Sequence, residues 1–266
     1  NGLQEMAWEY DVRRFLADLD PVQVGAEAGR RAVACLGAEP VPDGQYDVIL
    51  ENQVAMEFLG LLGASLQGDN VVKGRSLLAS KLDQKVVSEL VTLVDDGLMP
   101  KGVGSGPFDD EGTPTSTKTL LQEGVVRGFV FDRPWAAKHG AESTGNAVRP
   151  GLKAPPQVGF SNFYLKPGQG DLTGLAAGLD RGLVITEVLG AHTADPVSGQ
   201  FSLGASGFLV EQGKITRPVK SIAVAGQVVE LFDRVKAVGG DLRFLGGSGA
   251  PSLLVAGMSV SGPGQG

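Results

Sequence analysis

The sequence has 266 residues, of which 42% are hydrophobic and 20% charged, so it is long enough for one large or two small globular domains and is neither disordered nor fibrous. A net charge of −7 with scattered Lys and Arg argues against direct binding of nucleic acid. No apolar run approaches the roughly 18–20 residues of a membrane-spanning helix and no signal peptide is recognisable, so we expect a cytoplasmic protein that does not enter a membrane.

The N-terminal part of the chain contains two helical patterns on either side of a short strand. An Asp-Pro pair that begins at Asp20 is typical of a helix start, so a helix that covers a sheet is predicted over 21–36. A strand at 46–50 follows a Pro-Asp-Gly turn, and apolar residues at helical spacing then predict a second helix over 54–66. The single cysteine, Cys35, excludes an internal disulfide and is expected to be a small core residue.

The rest of the chain is dominated by strand-like runs that turn residues separate. Further strands are predicted at 89–94, 117–121, 125–131, 158–165, 183–189, 208–210, 214–216, 222–224 and either 252–255 or 258–260. Short helices are predicted at 134–138, 172–179 and 228–235. Turn residues at 122–124 and 211–213 indicate hairpins, which the 40 glycines also suit. Because hairpins recur without regular strand and helix alternation, we expect an α+β fold with mixed or antiparallel sheets and a few covering helices.

The two histidines do not form a recognisable metal motif. His139 and His192 are far apart in sequence, and neither has a second His or Cys at ligand spacing. His139 is expected at the exposed C-terminal end of a short helix, where a positive charge is favourable. His192 lies in the polar loop 190–199, a position at which functional groups are often displayed. A hydrogen bond that stabilises the loop is nevertheless the simpler role for His192.

Other motifs that resemble catalytic signatures are incomplete. Residues 204–208 lack the last glycine of a serine-hydrolase elbow and precede a strand. The glycine-rich stretches 102–106 and 246–249 lack the Lys-Ser or Lys-Thr ending of a phosphate-binding loop, so we interpret both as turns. The acidic run Asp109, Asp110 and Glu111 is typical of a solvated loop surface. None of these segments predicts an active site.

Several segments together resemble the PmbA/TldE branch of the TldD/PmbA family, whose older name is modulator of DNA gyrase. The segments that carry the resemblance are 70–77, 158–168, 183–206, 208–219, 238–242 and 251–254. They occur in the family's order, and the resemblance extends from about Tyr10 to Gly262. It implies a C-terminal domain of the TldD/PmbA type over 1–266, in which residues 1–40 form a helical segment that links from an N-terminal domain absent from this sequence.

The resemblance also implies that a metal site is missing. TldD-type members carry a His-Glu-x-x-x-His motif on the helix after the strand at 46–50, and a cysteine near the C-terminus that completes the zinc site. In this chain Leu59 and Ala64 stand at the two histidine positions and Gly60 at the glutamate position, and residues 247–251 contain no cysteine. These side chains neither bind zinc nor transfer a proton. We therefore expect no catalytic residue, no metal and no cofactor in this chain.

The function implied by the resemblance is that of a metal-free, non-catalytic subunit in a TldD/TldE-type zinc metallopeptidase complex. Zinc is expected in a TldD-type partner, and the substrates are expected to be linear, unfolded peptides, in a homo- or hetero-oligomer. The loops 190–199 and 103–112 are expected to face the chamber or the peptide. The candidate peptide-facing residues are His192, Thr193, Asp195 and Ser198.

Two other functions stay open at this point. One is a homo-oligomeric peptide-binding or adaptor protein that has no peptidase partner. The other is an independent hydrolase that uses His192 together with Asp195 or Ser198.

Overall fold

The computed structural model describes residues 4–262. The helices are α1 (Pro21–Ala34), α2 (Asn52–Gly63), α3 (Gly68–Val72), α4 (Arg133–His139), α5 (Leu172–Ala177) and α6 (Val228–Asp233), with 3-10 turns at Leu16–Asp18, Ala64–Leu66 and Ala191–Thr193. The strands are β1 (Gly44–Leu50), β2 (Leu93–Asp96), β3 (Thr117–Gln122), β4 (Val125–Val126), β5 (Ala147–Val148), β6 (Gln157–Val158), β7 (Phe163–Leu165), β8 (Arg181–Leu189), β9 (Gln200–Glu211), β10 (Lys214–Gln227), β11 (Val235–Val238), β12 (Arg243–Leu245), β13 (Ser248–Ala250) and β14 (Leu253–Ser261).

The larger sheet closes on itself into a barrel. Strand β1 pairs in parallel with β8 and antiparallel with β14, while β8, β9, β10 and β14 continue the ring by antiparallel pairing. Val48 lies opposite both Leu183 and Val255, and all three side chains belong to the main core. The alternate residues Ile49 and Val184 form a second cluster on the outside of the barrel, with Ala176 of α5. Closure leaves these strands without open edges.

A second, mixed sheet has the strand order β12-β13-β7-β2-β3-β4. Helix α2 packs between this sheet and the barrel, in contact with β13 on one side and β8 on the other. The ring of Phe58 meets the Phe201 ring of the barrel at a centroid distance of 4.9 Å, edge to face. At the other end of the helix Gly63 approaches the ring of Phe163 so closely that a Cβ atom would lie 2.9 Å from it. The predicted α+β class is confirmed.

Several strand predictions differ from the structure. The predicted strands 214–216 and 222–224 belong to one long strand, β10, because irregularities between Ile215 and Pro218 and between Val219 and Ile222 let pairing with β9 continue. Strand β2 begins only at Leu93, after a turn in which the Val91 N–H donates to Ser88. Both alternatives for the last strand fall on β14, although Ser252 precedes its first residue.

Two predictions for the first helix are wrong. Helix α1 begins after Asp20, whose carboxylate caps it as expected, but none of its residues is buried, and Val22 and Val33 are 81% and 68% exposed. It is held by an ion pair instead, because Arg31 donates to Glu51, which lies between β1 and α2, at 2.6 Å. Cys35, which follows α1, is half-buried and lines a cavity of about 80 Å³ between α1 and the barrel, so it is not a core residue.

Candidate functional site

The three residues at the expected zinc-site positions lie at different depths along α2. Leu59 is fully buried, with 1% of its surface exposed. Gly60 faces solvent, and a Cβ atom added there would have no neighbour within 4 Å. Ala64 is half-buried in the 3-10 turn that extends the helix. None of the three carries an atom that binds zinc or moves a proton, so these residues do not fit a metal centre.

The chain that follows α2 is held tightly against the segment between β4 and α4. The Gly68 N–H donates to the Val130 carbonyl at 2.8 Å, and the Val130 N–H donates back to Leu66 at 3.0 Å. A Cβ atom on Gly68 would lie 2.0 Å from the ring of Phe131, so only glycine allows this approach. Packing therefore fixes the chain just beyond the C-terminal end of α2.

The loop 190–199 brings Asp195 and Ser198 together but does not join His192 to them. The Ser198 hydroxyl donates to Asp195 Oδ2 at 2.7 Å, and the Val197 N–H donates to Asp195 Oδ1 at 2.9 Å. These bonds hold the pKa of Asp195 below its ordinary value. Thr193 donates to the Gly190 carbonyl at 2.8 Å. His192 is exposed and makes no side-chain hydrogen bond within residues 4–262. The hydrogen bonds that stabilise the loop, which were expected from His192, come from its neighbours instead.

His139 lies at the end of α4, as predicted, and it is exposed. Its imidazole stacks on the ring of Phe131 at a centroid distance of 5.0 Å. The helix closes at Gly140, whose φ of +76° is a left-handed conformation that glycine readily adopts. His139 therefore packs on Phe131. Within the described chain it makes no hydrogen bond or aromatic contact with the 190–199 loop.

The acidic residues 109–111 hold the loop 103–112 in shape. They were expected only to be solvated, but two of them accept hydrogen bonds from the backbone. Asp109 accepts the N–H groups of Glu111 and Thr113 at 3.0 and 2.9 Å, and that of Ala147 at 3.0 Å. Asp110 accepts the Arg149 N–H at 2.6 Å. The run therefore connects the loop to β5 and to Arg149, which follows it. No hydrogen bond in the described chain joins the loop 103–112 to the loop 190–199.

Sequence reasoning missed a buried polar cluster beside that loop. Asp95, at 0% exposure, accepts hydrogen bonds of 2.7 Å from Asn146 Nδ2 and from the Ser161 N–H, and Lys118 Nζ lies 3.5 Å away. Asn162, also fully buried, accepts the Gly104 N–H at 3.1 Å. The predicted strand 89–94 stops just short of Asp95, and a buried carboxylate and an exposed one look alike in a single sequence.

Burial is the largest influence on Asp95 and raises the pKa of this carboxyl above its ordinary value. The hydrogen bonds from Asn146 and Ser161 and the charge of Lys118 act in the opposite direction without reversing the shift. The cluster has the geometry of a structural brace, because its polar atoms are satisfied by one another. It connects two segments around the 103–112 loop and offers no open position to a ligand.

No group of three or more His, Cys, Asp and Glu side chains in residues 4–262 is arranged to hold a metal ion. No helix in the same range is both long enough and apolar enough to cross a membrane.

The barrel, the second sheet and the helix between them define the class of the protein as a C-terminal domain of the TldD/PmbA type. The family model described as PmbA/TldA metallopeptidase C-terminal domain matches residues 43–262, and the chain belongs to this family. The chain is 29% identical over 264 residues to Metalloprotease PmbA of Escherichia coli O157:H7, covering 98% of this chain and 56% of that protein.

Solved structures give the same result. A putative modulator of DNA gyrase from Thermotoga maritima superposes with a TM-score of 0.88 at 35% identity, over 95% of this chain and 58% of that one. TldE from Thermococcus kodakarensis superposes with a TM-score of 0.84 at 28% identity, over the same two fractions. The chain thus spans a little more than half the length of these relatives.

Proposed function

We propose that this chain is a non-catalytic subunit of a TldD/TldE-type zinc metallopeptidase complex. The observation that carries the proposal is the chemistry of α2, where Leu59, Gly60 and Ala64 stand at the positions that resemblance assigns to two histidines and a glutamate. Leu59 supports it further, because a fully buried leucine contributes to the core of the domain. The family is a metallopeptidase family, so the zinc and the water-activating glutamate are expected on a TldD-type partner.

TldD homologues are as similar to this chain as TldE and PmbA proteins are, so the proposed assignment to the metal-free branch rests on the residues at positions 59, 60 and 64. In the proposed complex this chain closes the chamber and holds linear, unfolded peptides for the partner. An extended peptide that pairs through its backbone gains affinity with little sequence preference, which suits a peptidase for unfolded chains. The loops 190–199 and 103–112 are candidates for the chamber-facing surface.

The experiment compares three samples: this chain alone, a partner that carries His-Glu-x-x-x-His alone, and the two combined. Zinc per chain and hydrolysis of linear peptides are measured in each. We expect no stoichiometric zinc and no hydrolysis by this chain alone, and hydrolysis in the combined sample. The matched control is the combined sample with the partner's motif glutamate replaced by glutamine, which should be inactive. Zinc-dependent hydrolysis by the isolated chain would contradict the proposal.

The same samples test the two other functions. An adaptor without a peptidase partner predicts a symmetric homo-oligomer that does not associate with the TldD-type chain. An independent hydrolase predicts activity that His192→Ala abolishes. The absence of a hydrogen bond from His192 to Asp195 or Ser198 in the described chain gives that third function no geometric support.

A further inference from the structure

A cavity of about 180 Å³ lies beside α6, where the wall of the barrel is interrupted. On one side of β14, residues 259–261 pair with β10 and residues 253–255 pair with β11. The chain between β10 and β11 forms α6, so neither strand pairs with residues 256–258. The interruption leaves side chains of the barrel core bordering an open cavity.

The floor of the cavity is apolar and rigid. Four buried side chains of the main core form it, namely Phe201, Leu231, Val255 and Met258. The Phe201 ring meets Phe58 edge to face, and a Cβ atom on Gly226, the residue opposite it on β10, would lie 3.0 Å from the ring. An apolar cavity of about 150 Å³ holds one benzene molecule. This floor therefore suits a single apolar side chain of about the size of leucine.

Arg234 lies on the rim of the cavity and is tied to β14 through both its backbone and its side chain. Its carbonyl accepts the Ala256 N–H at 3.0 Å, and its Nη1 donates to the Gly257 carbonyl at 3.0 Å. Its Nε and Nη2 donate no hydrogen bond within residues 4–262. The Nε and Nη2 atoms form the edge of a guanidinium group that can bind a carboxylate through two parallel hydrogen bonds. The rim thus presents this edge in a fixed position.

Glu230, which precedes Arg234 by one helical turn, does not satisfy this edge. Its Oε2 lies 3.8 Å from Arg234 Nη2, beyond hydrogen-bond distance, and the two side chains are 67% and 53% exposed. A surface pair of this kind contributes little to stability, so a ligand carboxylate replaces Glu230 at little cost. The amide nitrogens of Gln45 and Gln227 on the rim already donate to other groups. Arg234 is therefore the rim group that is suited to an anionic ligand.

We infer that this cavity binds a single apolar residue through its free α-carboxylate. The carboxylate pairs with the Nε and Nη2 edge of Arg234, and the side chain packs on the apolar floor. Two sources share this chemistry: a free apolar amino acid and the C-terminal residue of a linear peptide. Glu230 distinguishes them, because its carboxylate attracts the α-ammonium group of a free amino acid, whereas a peptide has an uncharged amide there. The site requires neither zinc nor a partner chain, so it is independent of the proposed function.

The test follows isotope-labelled methionine methyl groups by NMR in the full 266-residue chain. Met258 lies in the floor, whereas Met6, Met56 and Met99 do not line the cavity and serve as internal controls. Titration with N-acetyl-leucine at millimolar concentration should shift the Met258 signal to saturation. N-acetyl-leucinamide, which lacks the carboxylate, and N-acetylglycine, which lacks the apolar side chain, should each bind about tenfold more weakly or worse.

Variants assign the effect to the rim. Arg234→Gln should weaken the binding of N-acetyl-leucine by about tenfold or more. The matched control is Arg127→Gln, since Arg127 also pairs with a carboxylate and is 44% exposed, and it should leave the affinity unchanged. Free leucine that binds more tightly than N-acetyl-leucine, and more weakly to Glu230→Gln protein, would support the site as one for amino acids. Tighter binding of a peptide that ends in leucine would support it as a site for peptide termini.

Equal affinity for N-acetyl-leucine and its amide would overturn the inference. Unchanged affinity in Arg234→Gln protein with a wild-type circular dichroism spectrum would do the same. A Met258 signal that does not respond to millimolar ligand would also overturn it, and if that signal depended on protein concentration, a second copy of the chain would be the occupant. The samples contain neither zinc nor a partner chain, so none of these results bears on the proposed function.

Discussion

The buried cluster at Asp95 provides a quantitative test of how the domain is held together. Asp95→Ala removes both hydrogen bonds of 2.7 Å, from Asn146 and Ser161, and the carboxylate 3.5 Å from Lys118. Lys118 is 14% exposed and keeps bonds of 3.1 Å to the carbonyls of Ser116 and Thr144. Removal of one partner from a buried ion pair typically costs about 3–5 kcal/mol.

The loss of stability expected for Asp95→Ala lies at the lower end of that range. Burial raises the pKa of Asp95, so the ionised carboxylate already bears a desolvation cost that its partners only partly offset. Lys118 also retains two acceptors after the substitution. We therefore expect Asp95→Ala to lower the free energy of unfolding by about 3 kcal/mol, a large share of the roughly 5–15 kcal/mol of a typical domain.

The assay is equilibrium unfolding in urea, followed by circular dichroism. The matched control is Asp83→Asn, because Asp83 also pairs with a cation, Arg127, at 2.8 Å, but is 70% exposed, and asparagine tolerates the left-handed backbone at this position (φ 60°) as aspartate does. A surface ion pair contributes about 1 kcal/mol or less, so this variant should unfold close to the wild type. If Asp95→Ala and Asp83→Asn were equally stable, the view of Asp95 as a structural brace would be wrong.

Three further predictions concern α2, residues 5–12 and the 190–199 loop. In urea unfolding, Leu59→Ala should lower the free energy of unfolding by about 2–5 kcal/mol, because the Leu59 side chain is buried. Gly60→Ala should raise it by about 0.5–1 kcal/mol, because the position is open to solvent. The reverse order of stability would contradict the orientation of α2. Burial opposes ionisation of Glu9, but hydrogen bonds and the charges of two arginines hold its pKa below the ordinary 4.5. The ion pairs of Glu9 that anchor residues 5–12 are therefore complete above pH 4.5 and are lost as the pH falls below it. Trp8 fluorescence should report this release, and a signal that stays constant to the pH of global unfolding would count against it. His192→Ala should leave partner-dependent peptidase activity unchanged, and a complete loss would support a catalytic histidine.

The parts of the fold that sequence predicted well are those with a strong local pattern. The helix at α2 and the strand β1 were predicted because their apolar spacing is regular and turn residues bound them. Strand β9 was predicted too short because Gly204 and Gly207 look like interruptions. In the structure a Cβ atom on Gly207 would lie 1.8 Å from the Val184 carbonyl oxygen, so this glycine permits a close approach of paired strands.

Sequence could predict the candidate site only where the prediction depends on which amino acid occupies a single position. Resemblance singled out Leu59, Gly60 and Ala64, but not that Leu59 is buried while Gly60 faces solvent. The role of Asp95 depends on partners 51 and 66 residues away, Asn146 and Ser161, which no local pattern reveals. The burial of Glu9 likewise depends on a distant charge, that of Arg243.

The central claim is that this chain takes part in peptide hydrolysis without holding zinc. Native mass spectrometry of the complex isolated from its source, combined with metal analysis of each separated chain, tests it most directly. The claim predicts a hetero-oligomer in which zinc is found on the His-Glu-x-x-x-His chain and none on this one. Stoichiometric zinc on this chain, or a homo-oligomer that contains no such partner, would contradict it.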